Sequence, residues 1–239
     1  WQIERSHKRT DGFWFMCRTM LTLLPIVGLV GSNNLSTAII ILGIGVILIF
    51  AASPRYIQFA ALGGAGIGFI AIFLAAESYR LERLAIWREP EKYEKGFQTI
   101  QGLYAIGSGG LFGRGIGNSI QKLGFVPEAQ NDMIFSIICE EMGLTGAIIL
   151  ILIFALLLWR LCVISMNCQE LSGAMIAAGI MGHLAIQVIL NIAVVTNTIP
   201  NTGITLPFIS YGGTSIVFLL GEMGLALNVS RQKNNPPTR

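Results

Sequence analysis

Predominantly apolar residues fill six long stretches of the chain, with one long polar interruption between the third and the fourth. The stretches are residues 13–31, 35–52, 57–76, 133–159, 171–195 and 209–229. A bilayer core of about 30 Å takes about 20 apolar residues at about 1.5 Å of helix each. Each stretch is therefore predicted to be a membrane-spanning helix. Short breakers part most of them: Gly31-Ser32-Asn33-Asn34, Ser53-Pro54-Arg55, and a segment from Thr196 to Pro207 that holds two prolines. Pro25 falls inside the first stretch and is expected to kink it, which membrane helices tolerate. The fold class is all-α, a polytopic transmembrane helix bundle forming one domain over residues 1–239.

Composition agrees with that pattern. Hydrophobic residues make up 53% of the 239 residues and charged residues 12%, about half the usual share of about 25% for a soluble domain. Too little polar surface is left to cover a water-soluble globule. The net charge of +3 gives no case for nucleic acid as a partner. Cys17, Cys139, Cys162 and Cys168 show no CxxC pair or metal-ligand spacing and read as free thiols. The chain opens at Trp1 without an initiator Met or a signal peptide, so a missing beginning is expected.

Residues 77–132 hold seven acids and seven bases, about half of all the charge. A segment this long without function is uncommon. Orientation follows from the short loops. Arg5, Lys8, Arg9, Arg18, Arg55, Arg160, Arg231, Lys233 and Arg239 all fall on the side shared by the two ends, and the opposite short loops carry no Lys or Arg. Both ends are expected in the cytoplasm, with 77–132 a large extracytoplasmic loop.

Three places in this chain suit chemistry. The run Gly107-Ser108-Gly109-Gly110-Leu111-Phe112-Gly113-Arg114-Gly115-Ile116-Gly117-Asn118 is neither a Walker A loop nor a dinucleotide fingerprint. It reads as a flexible interfacial turn, or as a backbone that approaches a phosphate or sugar with Arg114 and Lys122 supplying charge. Asp132 stands at the mouth of the fourth stretch, and Ser136 and Glu140 follow at helical spacing on one face. Asp132 suits a helix cap as well as a catalytic base. Glu140, deeper along the axis, needs a polar cavity or a partner. The fifth stretch carries His183, Gln187 and Asn191, either a seam of helix–helix hydrogen bonds or the lining of a polar path. Glu222, in the last stretch, reads as structural.

Three sequence blocks carry a resemblance to a known family. Gly115-Ile116-Gly117-Asn118-Ser119-Ile120-Gln121-Lys122-Leu123 leads into Val126-Pro127-Glu128-Ala129-Gln130-Asn131-Asp132 and then Glu140-Glu141-Met142-Gly143. Gly203-Ile204-Thr205-Leu206-Pro207-Phe208-Ile209-Ser210-Tyr211-Gly212-Gly213-Thr214-Ser215 is the second, and Tyr79-Arg80 with Arg83 the third. Together they closely resemble the SEDS family of bacterial cell-wall polymerases, and more its division branch, FtsW and sporulation relatives, than the elongation branch, RodA. The order of the blocks fits the last six of about ten spans. Two departures stand out. Ser32-Asn33-Asn34-Leu35-Ser36-Thr37 lacks the acid that relatives often carry there, and Gln130-Asn131-Asp132 replaces a common His-Thr-Asp.

The resemblance implies a peptidoglycan glycosyltransferase of the bacterial cytoplasmic membrane that polymerises lipid II during division or sporulation, with undecaprenyl pyrophosphate as leaving group. It implies Asp132 as the base, and Arg80, Arg83, Arg114 and Lys122 as cations against the diphosphate. Glu128, Ser136, Glu140, Asn191 and Ser210 complete the expected substrate-binding set. A divalent cation, Mg or Mn, would be held by Asp132 and Glu128, although no motif calls for it. Expected partners are a class B penicillin-binding protein acting as transpeptidase, divisome or sporulation proteins, and membrane lipids. Two rival readings remain at this level, a lipid II flippase and a non-catalytic scaffold of the division complex.

Overall fold

A computed structural model describes residues 12–52, 63, 64, 66, 68 and 78–232. Its elements are α1 (Gly12–Asn33), α2 (Leu35–Ala52), α3 (Ser78–Arg88), α4 (Phe97–Gly109), α5 (Ile134–Asn167), α6 (Leu171–Val195) and α7 (Gly213–Gln232), with short 3-10 turns at Pro90–Lys92, Glu94–Gly96 and Gln121–Leu123. No strand occurs among the described residues. Of the predicted third span, 57–76, only positions 63, 64, 66 and 68 are described, and these are helical. The basic positions Arg5, Lys8, Arg9, Arg55, Lys233 and Arg239 lie outside the described residues.

Among the described residues three helices are long and apolar enough to cross a membrane, Ile134–Asn167, Leu171–Val195 and Gly213–Arg231. Leu21–Asn33 and Leu35–Ala51 are shorter apolar helices. Two boundaries differ from the sequence reading. The fourth stretch continues to Asn167, and the sixth becomes helical only at Gly213. Residues 209–212 stay out of the helix because their polar groups serve elsewhere, as the site shows. The charged segment, read from sequence as a loop, is folded through α3 and α4.

The chain forms two compact units. One comprises Trp1–Ala76, Leu158–Ile186 and Leu220–Arg239. Here helices meet through glycines. A Cβ on Gly43 would stand 2.6 Å from Ile186 Cδ1, one on Gly182 2.8 Å from Ile47 Cδ1, and one on Gly45 would overlap Leu23. Small residues let membrane helices approach closely where no hydrophobic drive exists between them. His183 Nδ1 lies 2.9 Å from Glu222 Oε1. The polar stripe thus joins α6 to α7 by a hydrogen bond here, the seam reading of the sequence.

The other unit comprises Glu77–Leu157 and Gln187–Leu219. Its apolar core gathers Val126, Met133, Phe135, Ile137, Phe154, Val188, Val195 and Leu206. Within it α5 breaks at Gly143 (φ 67°, ψ −165°), and the glycine-rich loop is spliced into the break. Arg114 N and Gly115 N donate to the carbonyls of Glu140 and Glu141 at 3.0 and 2.9 Å, while Leu144 N and Thr145 N donate to Gly110 O and Leu111 O at 2.9 and 3.1 Å. These are the backbone groups that a helix interruption leaves without partners. The glycines are there to allow backbone to meet backbone, so the loop is neither a free turn nor an open anion cradle.

Candidate functional site

Asp132 sits in the turn just before α5, 7% exposed, on the wall of a cavity of about 310 Å³. Arg83 and Trp87 of α3, Gln98 of α4, Lys95, and Asn197 and Asn201 from the segment after α6 share that wall. Gln98 Nε2 donates to both carboxylate oxygens of Asp132, at 3.3 and 3.5 Å. Asn201 Nδ2 donates to Gln98 Oε1 at 3.3 Å. Arg83 Nη1 donates to Asn201 O at 3.2 Å, and Trp87 Nε1 to Asn197 O at 2.9 Å. Lys95 pairs with Glu82 at 3.0 Å, a partly exposed pair of small worth to stability. The cavity therefore combines one buried carboxylate with two cationic side chains.

The turn that carries Asp132 is held from behind. Asn191, wholly buried, donates to Asp132 O at 2.8 Å and to Ile204 O at 2.7 Å. Ser210 Oγ donates to Asn131 O at 2.6 Å and accepts from Leu206 N at 2.7 Å. Tyr211 N donates to Gln130 O at 2.8 Å. The 203–215 block is thus a clamp on Gln130-Asn131-Asp132, which explains why α7 starts late. Both clamped segments hold a non-glycine residue at positive φ, Glu128 at 54° and Phe208 at 64°, a conformation that persists only where surroundings impose it. Asn191→Leu would strand two buried carbonyls, each costing about 1–3 kcal/mol. The expected result is a clear fall in the thermal unfolding temperature of the detergent-solubilised protein, with Asn191→Gln intermediate.

Burial raises the carboxyl of Asp132 above the usual 3.8. Hydrogen bonds from its own backbone, Gln98 and Met133 pull it down, and the neighbouring charge of Glu128 adds to the rise. Such an acid holds its proton more tightly than a free carboxylate, which makes it a better base once ionised.

The other residues singled out from sequence gather elsewhere. Glu140 is wholly buried and faces the glycine-rich loop: Ser119 Oγ, Ile120 N and Gln121 N donate to it, and Arg114 Nη1 lies 3.5 Å away. Lys122 Nζ bonds Glu141 Oε1 at 2.6 Å and Gly117 O at 2.8 Å. Ser136 Oγ donates to Met133 O at 2.7 Å. Arg114, Lys122 and Glu140 thus form a second cluster that closes the loop on α5, without lining the Asp132 cavity. The side chain of Arg80 lies outside the described residues. Lys95, Gln98, Trp87 and Asn201 were not singled out. Gln98 follows Phe97 at the start of α4 among other polar residues, Thr99 and Gln101, and nothing local ties it to Asp132.

For a cation the described residues contain no cluster of three or more His, Cys, Asp or Glu. Glu128 stands beside Asp132 in charge and accepts from Asn131 Nδ2. Two neighbouring carboxylates that repel one another suit a hard divalent cation, whose remaining oxygen ligands would be water or a substrate phosphate.

The chain matches, over residues 2–235, the cell cycle protein family of FtsW, RodA and SpoVE. It is 45% identical to stage V sporulation protein E of Bacillus subtilis (strain 168) over 201 residues, which cover 83% of this chain and 55% of that protein. With a probable peptidoglycan glycosyltransferase FtsW of Trichlorobacter lovleyi it shares 37% identity over 214 residues, 88% of this chain and 56% of the relative. It thus spans little more than half the length of these relatives. Among solved structures, a chain of a peptidoglycan synthase complex that coordinates polymerization and crosslinking superposes with a TM-score of 0.79 at 26% identity, covering 98% of this chain and 67% of that one. The rod shape determining protein RodA of Thermus thermophilus gives 0.62 at 27% identity, covering 95% and 58%.

Proposed function

This chain belongs to the FtsW, RodA and SpoVE family of integral membrane proteins, and we propose that the whole protein is a peptidoglycan glycosyltransferase with Asp132 as its base. The observation that carries the reading is a single buried carboxylate beside Arg83 and Lys95 in one cavity. Glycosyl transfer from a lipid diphosphate needs those two things together, a base for the attacking hydroxyl and positive charge for the departing diphosphate.

In the proposed step the GlcNAc 4-hydroxyl of the acceptor attacks the anomeric carbon of the donor's MurNAc. The new C–O bond forms as the bond to the diphosphate oxygen breaks. Asp132 takes the hydroxyl proton, and undecaprenyl pyrophosphate leaves with the bonding pair. Arg83 and Lys95 offset the charge on that leaving group. A divalent cation, held by Asp132 and Glu128, would add to the same neutralisation. Gln98 and the 203–215 clamp fix the carboxylate, so little reorganisation is needed as the proton moves.

The setting proposed is the bacterial cytoplasmic membrane, with both ends of the chain cytoplasmic and the 77–132 segment outside, where lipid II is used. The partner proposed is a class B transpeptidase, within division or sporulation assemblies. The test is to supply the purified whole protein with lipid II and resolve the products by length. Glycan strands, with one undecaprenyl pyrophosphate released per bond formed, are expected. Lipid II that changes leaflet in vesicles without forming strands would make the protein a transporter instead.

A further inference from the structure

Among the described residues Asp132 has one side-chain partner in the cavity, and that partner is itself oriented by another side chain. Gln98 has a two-faced amide: its nitrogen donates to both oxygens of Asp132, and its oxygen accepts from Asn201. An amide turned the other way would aim its carbonyl at the carboxylate, lone pair against negative charge. What forbids that is Asn201, whose Nδ2 can only donate. Asn201 is fixed in turn, because its own carbonyl accepts from Arg83 Nη1 at 3.2 Å and its Oδ1 accepts from Gly203 N at 2.9 Å. The donors therefore run in one direction, from α3 through the 201–203 turn and α4 to Asp132.

We infer that Gln98 and Asn201 are positioning residues for the reaction proposed at Asp132, Gln98 by holding the carboxylate and Asn201 by setting which face of the Gln98 amide it meets. The inference rests on the reading of Asp132 as the base. Gln98 touches neither the donor diphosphate nor the transferred carbon in this scheme; it acts through Asp132. With the amide in place, beside the backbone hydrogen bonds from Asp132 and Met133, the carboxylate is held in one rotamer along one wall of the cavity. Without it the backbone bonds alone hold the carboxylate, and part of its time is spent where no acceptor hydroxyl reaches it.

At 3.3 and 3.5 Å these contacts are long and count through placement more than through strength; losing the pair is expected to slow the chemical step about 10- to 100-fold. The fall should sit in kcat, with KM for lipid II held within about twofold, since uniform binding is not what these amides supply. The experiment is a double-mutant cycle on lipid II polymerisation by the whole protein: wild type, Gln98→Leu, Asn201→Ala, and the two together, with Asp132→Asn as reference. If Asn201 acts through Gln98, the double variant is no slower than Gln98→Leu alone. Additive losses, a loss carried by KM, or a Gln98→Leu enzyme at the wild-type rate would overturn the inference. Asn201→Asp supplies a second test. Its carboxylate cannot donate, so Gln98 must turn its nitrogen toward residue 201 and present its oxygen to Asp132, and kcat should fall at least as far as in Gln98→Leu. A variant that keeps the wild-type rate would remove Asn201 from the scheme. Loss in Asp132→Asn with none in Gln98→Leu would sink this inference alone, whereas a wild-type rate in Asp132→Asn would sink the reading of the site on which it rests.

Discussion

Gly113→Ala and Gly143→Ala are each expected to abolish recovery of monodisperse protein, while Gly107→Ala is purified normally. The reason is the splice between the glycine-rich loop and the break in α5. Gly113 and Gly143 both hold positive φ, 78° and 67°, which alone costs an alanine about 1–3 kcal/mol. A Cβ on Gly113 would overlap Glu141 O, and one on Gly143 would stand 2.6 Å from Leu111 C. Both obstacles are backbone, which cannot step aside as a flexible side chain can. Parting the loop from the helix break severs four backbone hydrogen bonds, each about 1 kcal/mol and more when the orphaned groups are buried. The sum is comparable with the whole stability of an ordinary domain. Gly107, by contrast, has nothing within 4 Å of an added Cβ. Size-exclusion profiles of the three variants in detergent check this directly.

Asp132→Asn is expected to lower the rate of lipid II polymerisation by about 10²–10⁴, the usual contribution of a positioned general base. The same substitution should not weaken the fold at neutral pH. Burial raises the folded-state affinity of this carboxyl for its proton. A raised value contributes stability below the ordinary carboxylate range, and that contribution is lost as pH climbs through the folded value. Above it, Asp132 is a buried charge that opposes folding. Asparagine removes that charge and still accepts from Gln98, so its melting temperature at neutral pH should equal or exceed the wild type's, with the advantage shrinking as pH falls. Asparagine caps a helix as well as aspartate does, so a capping role would show only on replacement by alanine, at about 0.5–2 kcal/mol. In the wild-type protein the acidic limb of the pH–rate profile should lie above the ordinary 3.8.

The spans were legible because the bilayer fixes a length that any long apolar run must meet. Asp132 was legible for a related reason: an acid where a charged segment enters such a run has little else to explain it. What the sequence hid were relations between distant segments. The glycines of 107–117 looked like flexibility or a phosphate cradle, since nothing near them announces that α5 breaks at Gly143 to receive them. Arg114 and Lys122 looked like cations for a diphosphate, whereas Glu140 and Glu141 engage them from α5. Residues 209–212 are apolar enough to pass for helix, but Ser210 and Tyr211 spend their polar groups on Asn131 and Gln130. Gln98 and Asn201 stand 34 residues before and 69 after Asp132, and only the folded unit makes neighbours of them.

The central claim is that Asp132 performs chemistry at this cavity. Its most direct test is the initial rate of lipid II polymerisation by the whole protein carrying Asp132→Asn, measured beside wild type, with thermal unfolding recorded on the same samples. The expected result is a rate at least about 100-fold lower in a protein that melts no earlier. Wild-type polymerisation by Asp132→Asn would contradict it.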